Sequence, residues 1–185
     1  TWVKLNETES YGGIIGKGTS GGEDNYAFLL WFPEIEWGEA GSFQKIFFSL
    51  NGISSGSLDS RHIFDDAYDM PLNEWHNVSV TVNNDSKSAK LYIDGELFTT
   101  RDFEGQNTNT NDNSIQIGTY NSGAYSFNGN IDEISIWNQA LTQEQIQANM
   151  SSELVGTEEG LVGYWNFNEG EGPELTDLSG NENHG

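Results

Sequence analysis

Residues Asn128 to Ile146 constrain this chain more than any other stretch, because they join an alternating strand to a short capped helix. Along that strand Ile131, Glu133, Ser135 and Trp137 fall on one face, and Asp132, Ile134 and Ile136 on the other. Bulky apolar groups on both faces predict a strand covered on both sides, with Asp132 semi-buried. Thr142 is placed as an N-cap and Gln145 as its capping-box partner, opening a helix of about two turns.

The rest of the chain reads as short strands separated by turn signals. Trp2 to Leu5 alternates as a half-buried strand, and Ile14 to Gly18 forms another. Tyr26–Phe32 and Lys45–Leu50 read as partners in one hairpin, separated by a long acidic excursion from Pro33 to Phe43. Strands follow at Trp75–Val82 and Lys90–Ile93, and Asp94-Gly95 is a dipeptide favoured where both central residues of a tight hairpin need positive φ. Ser114–Thr119 and Asn130–Trp137 supply the last strands before the helix. Many short strands and one small helix predict an all-β, two-sheet antiparallel β-sandwich with one short helix on its C-terminal side.

Four segments, taken together, resemble the laminin-G-like, concanavalin-A-like jelly-roll family. They are the strand–helix unit at 128–146, the strand Glu74–Val82, the hairpin Leu91–Leu97, and Gly160–Gly172 with the loop Asp177–Gly185. The last of these is similar to the family's opening strand and its glycine- and asparagine-rich loop, yet it stands after the helix. Residues 1–150 are thus expected to form a sandwich lacking the family's first strand, 151–159 a connector, and 160–185 that strand and loop. Three origins fit this order: tandem repeats cut out of register, a permuted domain completed by its own tail, or a tail donated to a neighbouring copy. The chain is accordingly expected to be a piece of something longer.

Charge narrows the partners. Among 185 residues, 29 acidic against 7 basic side chains give −22, which disfavours nucleic acid because phosphate neutralisation needs a basic patch. No run approaches the roughly 18 apolar residues that span a bilayer, so no membrane insertion is expected. The absence of cysteine excludes a disulfide scaffold and a thiolate metal site.

The resemblance implies a structural calcium ion at Asp132, with Asp177 and Asn181 on the loop it brings nearby. Calcium takes oxygens from carboxylates, amides and backbone carbonyls. Glu23-Asp24-Asn25 and the group Asp59, Asp65, Asp66 and Asp69 lack EF-hand spacing and read as solvated acidic loops. Glu34, Glu36 and Glu39 are similar to the catalytic run of laminarinase-type glycosidases. There a retaining pair sits about 5–5.5 Å apart, but here the run reads as a protruding loop without a desolvated pocket to raise one carboxyl pKa. No enzymatic activity is expected. His62, His76 and His184 form no metal or triad spacing, and His76 reads as a solvent-side strand residue.

Sugar rings pack their C–H faces on flat aromatic surfaces. Trp31, Trp37, Tyr68, Tyr120 and Tyr125 read as aromatics in or near loops, and Trp2, Trp75, Trp137 and Trp165 as core. Tyr120, Asn121 and Tyr125, with Trp37, are the candidate ligand edge. The expected role is an extracellular recognition or adhesion module within a larger chain, binding a glycan or another cell-surface or matrix ligand. A spacer repeat of a large surface adhesin without its own ligand is the first alternative, and a glycoside hydrolase, favoured only by the Glu34–Glu39 run, is the second.

Overall fold

Alternating side chains build two sheets around one apolar layer. The computed structural model describes residues 1–6, 12–18, 26–32, 45–50, 53–54, 62–64, 68–105, 112–120 and 123–185. In chain order its strands begin with β1 (Trp2–Leu5), β2 (Gly12–Gly18), β3 (Tyr26–Phe32), β4 (Phe47–Leu50), β5 (Ile53–Ser54) and β6 (His62–Phe64). They continue with β7 (Trp75–Asn83), β8 (Ser88–Ile93), β9 (Glu96–Asp102), β10 (Glu104–Gly105), β11 (Ile115–Ile117) and β12 (Thr119–Tyr120). Last come β13 (Tyr125–Ser126), β14 (Gly129–Asp132), β15 (Ile134–Trp137), the helix α1 (Gln143–Met150) and β16 (Leu161–Trp165).

Among the described residues, the two larger sheets have five strands in the order β14-β1-β7-β8-β9 and seven in the order β12-β13-β2-β3-β4-β6 with β11 also on β2, while β10–β5 and β15–β16 form two further two-stranded ladders. Among the described residues most pairings are antiparallel, and the rung Ser126–Gly13 between β13 and β2 and the isolated bridge Leu5–Leu72 are parallel. The core lies between the sheets. Val3, Leu5, Val78, Ala89, Leu91 and Ile93 enter it from the first sheet, and Leu30, Phe32, Phe48, Leu50 and Phe64 from the second. The chain is the antiparallel β-sandwich that its alternation predicts.

β3 and β4 pair antiparallel across the excursion, with Leu30 opposite Phe48. Asp94 and Gly95 take φ of 51° and 77°, as their turn requires. The capping box forms: Thr142 Oγ1 accepts from Gln145 N–H, and Gln145 Oε1 accepts from Thr142 N–H at 2.8 Å.

The strand expected at 130–137 is two strands. Glu133 adopts φ 50°, a left-handed conformation that turns the backbone, so β14 pairs with β1 and β15 with β16. Ile134 lies opposite Trp165 and Ser135 opposite Tyr164. His76 also departs from expectation: only 13% of its side chain is exposed, and its Nδ1 lies 2.8 Å from Asp94 Oδ2. Asp94 Oδ1 accepts from Asn77 N–H at 2.8 Å, so one carboxylate ties the β8–β9 turn to β7. Trp75, expected in the core, is 43% exposed and lies under the Lys4 ammonium at 5.4 Å.

Candidate ligand-binding face

The seven-stranded sheet is apolar on both faces. Phe28, Leu30 and Phe32 of β3 turn toward the core, which sends Leu29 and Trp31 to the opposite face. Phe47 and Ser49 of β4 stand beside them, opposite Trp31 and Leu29 in register. A second apolar cluster forms there from Leu29, Trp31 and Tyr120, with Phe47 and Tyr125 packed against it.

Trp31 is its centre. The indole is 1% exposed and meets Phe47 edge-on at 5.3 Å and Tyr120 edge-on at 5.7 Å, while its Nε1–H donates to Ser49 Oγ at 3.1 Å. Trp31 is therefore a buried strand residue rather than a loop aromatic. Tyr120 and Tyr125 face each other across the β12–β13 pair and stack at 4.8 Å with planes 28° apart. The Thr119 hydroxyl donates to the Tyr125 carbonyl at 3.2 Å across the same pair.

Glycine in β2 permits this approach. A Cβ on Gly13 would stand 2.7 Å from the Thr119 carbonyl carbon and 2.9 Å from the Tyr120 ring. With hydrogen at that position, the Tyr120 ring settles against the strand and is 5% exposed, while Tyr125 stays half-buried. Tyr125 is thus the outer ring of a stack whose inner ring is fixed. Asn121, Trp37, the Glu34–Glu39 run and Glu23-Asp24-Asn25 lie outside the described residues.

The acidic candidates sit elsewhere. Asp132 closes β14, with Oδ1 accepting from Glu133 N–H at 2.9 Å and its carbonyl accepting from the Thr1 hydroxyl at 3.0 Å. Asp177 is 5% exposed and surrounded by donors. Its Oδ1 accepts from the N–H groups of Tyr164 and Ser179 at 3.0 and 2.9 Å, and its Oδ2 from the Ser179 hydroxyl and Asn183 N–H at 2.9 Å each. Asn181 turns its amide nitrogen onto the Val162 carbonyl at 3.1 Å and the Ser179 hydroxyl at 3.0 Å. These contacts pin the tail loop to β16. Asp132 shares no hydrogen bond with Asp177 or Asn181, and the described residues gather no group of three acidic, histidine or cysteine side chains fit for a metal. A calcium ion needs oxygens turned toward it, and the donor-filled surroundings of Asp177 do not fit that need.

The profile of Laminin_G_3, the concanavalin A-like lectin/glucanases superfamily, matches residues 1–147. The chain belongs to this family. Solved structures share the lectin-like fold at low sequence identity. A Bacteroides ovatus ATCC 8483 protein assigned to carbohydrate binding aligns over 99% of this chain at 19% identity and a TM-score of 0.73. The chain spans 49% of that protein's length. The CBM40 of a Ruminococcus gnavus IT-sialidase aligns over 80% of this chain and 78% of its own, at 21% identity and a TM-score of 0.55. A pentraxin from Limulus polyphemus aligns over 95% of this chain and 76% of its own, at 14% identity and a TM-score of 0.55. No characterised protein sequence matches the chain significantly.

Leu29, Phe47 and Ser49 were not singled out from the sequence, although the signal is there. An uninterrupted apolar run from Ala27 to Phe32 marks a strand covered on both faces.

Proposed function

We propose that this chain is a non-catalytic carbohydrate-recognition module of an extracellular protein. The observation that carries the reading is the Tyr120–Tyr125 stack, anchored on buried Trp31, which presents one half-buried ring on a sheet face outside the core. A sugar ring packs on such a surface, and fixing the inner rings beforehand lowers the ordering cost of binding. Membership of a lectin and glucanase superfamily and the likeness to carbohydrate-binding structures support it. The net charge of −22 favours uncharged glycans over sialylated or sulfated ones, through long-range repulsion of anions.

A glycan array read with the parent chain and with Tyr125→Ala tests this. The parent is expected to bind neutral glycans saturably. Tyr125→Ala is expected to weaken binding about tenfold or more, the equivalent of ~1.4 kcal/mol, without moving the thermal midpoint appreciably. Equal binding by both proteins would remove the stack from the site, and no binding by folded parent would favour the spacer reading.

Calcium enters this proposal at Asp132 alone. Millimolar calcium is expected to raise the thermal midpoint over that in chelator, and Asp132→Asn to abolish the difference. Identical melts of the parent in both buffers would remove calcium from the reading. We further propose that residues 160–185 complete this chain's own sandwich, a reading supported by the antiparallel pairing of β16 with β15.

A further inference from the structure

The five-stranded sheet turns a polar face away from the core. Val78, Val80, Leu91 and Ile93 point inward, so alternation sends Thr81 and Asn83 of β7 outward, opposite Lys90 and Ser88 of β8, with Tyr92 next in that row. The segment leading from β15 into α1 is held over these rows by two helix glutamines. Gln143 Nε2 donates to Glu96 Oε2 at 2.9 Å, and Gln147 Nε2 donates to Glu96 Oε1 at 2.9 Å and to the Gly95 carbonyl at 3.1 Å. Between sheet and segment lies a cavity of about 390 Å³. Thr81, Ser88, Lys90 and Tyr92 line it from the sheet, and Leu97 and residues 140–144 form its walls.

The polar groups of this lining are unevenly spent. Tyr92 is 4% exposed, yet among the described residues its hydroxyl has no hydrogen-bond partner. A buried tyrosine ordinarily finds one. Lys90 is half-buried in the same row, and its ammonium forms no ion pair or hydrogen bond with a described residue, in a chain with 29 acidic side chains. Asn83 Oδ1 accepts from the Asp85 and Ser86 N–H groups at 2.9 Å each, which leaves its amide N–H groups as donors. Glu144, the acidic residue of the described lining, is already engaged. Its own backbone N–H and the Thr142 hydroxyl hold its carboxyl below the usual carboxylate pKa.

A floor of unspent donors calls for acceptors, and an ammonium pairs best with a charged one. We propose that this groove is a ligand site separate from the tyrosine stack, and that it takes a single carboxylate-bearing sugar such as a hexuronic acid. The carboxylate meets Lys90 and Tyr92, the ring hydroxyls meet Thr81, Ser88 and Asn83, and a C–H face lies against Leu97. A small bare anion would answer Lys90 but leave the hydroxyl-lined and apolar parts of the groove empty. A neutral sugar would fill the space but leave the ammonium without a counter-charge. The net charge of −22 opposes any anion at long range, an effect that salt screens, whereas the contact with Lys90 acts inside the groove.

Amide-shift titrations of the whole chain with glucuronate, glucose and acetate, at about 0.15 M salt, test the proposal. Glucuronate is expected to bind saturably with a Kd of about 1 mM or tighter, its shifts gathered on β7, β8 and residues 140–144. Glucose and acetate are each expected to bind at least about tenfold more weakly. Lys90→Met keeps the aliphatic stem and is expected to weaken glucuronate binding about tenfold. Tyr92→Phe keeps the ring and is expected to weaken it about threefold. Because no described residue bonds that hydroxyl, Tyr92→Phe is also expected to melt with the parent. Absence of saturable shifts up to about 50 mM glucuronate would overturn the proposal. So would acetate or glucose binding as tightly as glucuronate, shifts centred on β12 and β13 instead, or unchanged affinity in both variants.

Discussion

Asp177→Ala is expected to lower the thermal midpoint by roughly 6–12 °C and to release Leu161–Trp165 to fast amide exchange. Asp177 supplies the acceptors for the N–H groups of Tyr164, Ser179 and Asn183 and for the Ser179 hydroxyl. Truncation removes charged hydrogen bonds and leaves buried donors such as Tyr164 N–H unsatisfied, a loss of about 3 kcal/mol. For a chain of this size each kcal/mol moves the midpoint by about 2–4 °C. Asp177→Asn is expected to be nearly as damaging, because an amide presents its own N–H groups to a pocket already filled with donors. Burial pushes the Asp177 carboxyl upward, but the backbone N–H groups of Tyr164, Ser179 and Asn183 and the Ser179 hydroxyl outweigh it, bringing its pKa from 3.8 down to about 2. The stabilisation is therefore complete above about pH 4 and fades as pH falls toward 2, as expected for a carboxyl depressed in the folded state. A parent that melts like both variants at pH 7 would show that the tail adds nothing to the sandwich. Convergence of parent and variants at pH 2 is the accompanying signature.

What the sequence disclosed depended on whether the controlling interaction was local. The Thr142–Gln145 capping box and the Asp94-Gly95 turn are set by neighbours within a few residues, and both form as predicted. The break at Glu133 was hidden, since alternation across 131–137 is compatible with one straight strand and the left-handed φ leaves no compositional mark on a glutamate. The tryptophans show the same limit at the level of packing. Alternation assigns a side chain to a face but does not say which face another layer covers. Trp75 sits on the outward face of β7 and Trp31 beneath the tyrosines, the reverse of their expected roles. Of the candidate site, the Tyr120–Tyr125 pairing was legible as two aromatics flanking a short turn. Its anchoring on Trp31, Phe47 and Ser49 was not, because those contacts join strands far apart in sequence.

That anchoring supports the second large prediction. Trp31→Ala is expected to cost about 3–5 kcal/mol, the range for truncating a buried aromatic, and to lower the midpoint by about 10 °C or more. The indole is 1% exposed and joins Phe47 to Tyr120, so its removal leaves a void beneath the tyrosine stack. Trp31→Phe keeps an aromatic ring there and loses the Nε1–H bond to Ser49 Oγ, at about 1 kcal/mol. The two variants separate support from contact. Trp31→Phe is expected to retain most glycan binding at temperatures where it is folded, because Tyr125 still stands on Tyr120. Trp31→Ala is expected to lose binding even well below its midpoint, because the inner ring is no longer fixed and binding must then bear the cost of ordering it. Full binding by folded Trp31→Ala would place the ligand away from the stack, and with it the proposed recognition face.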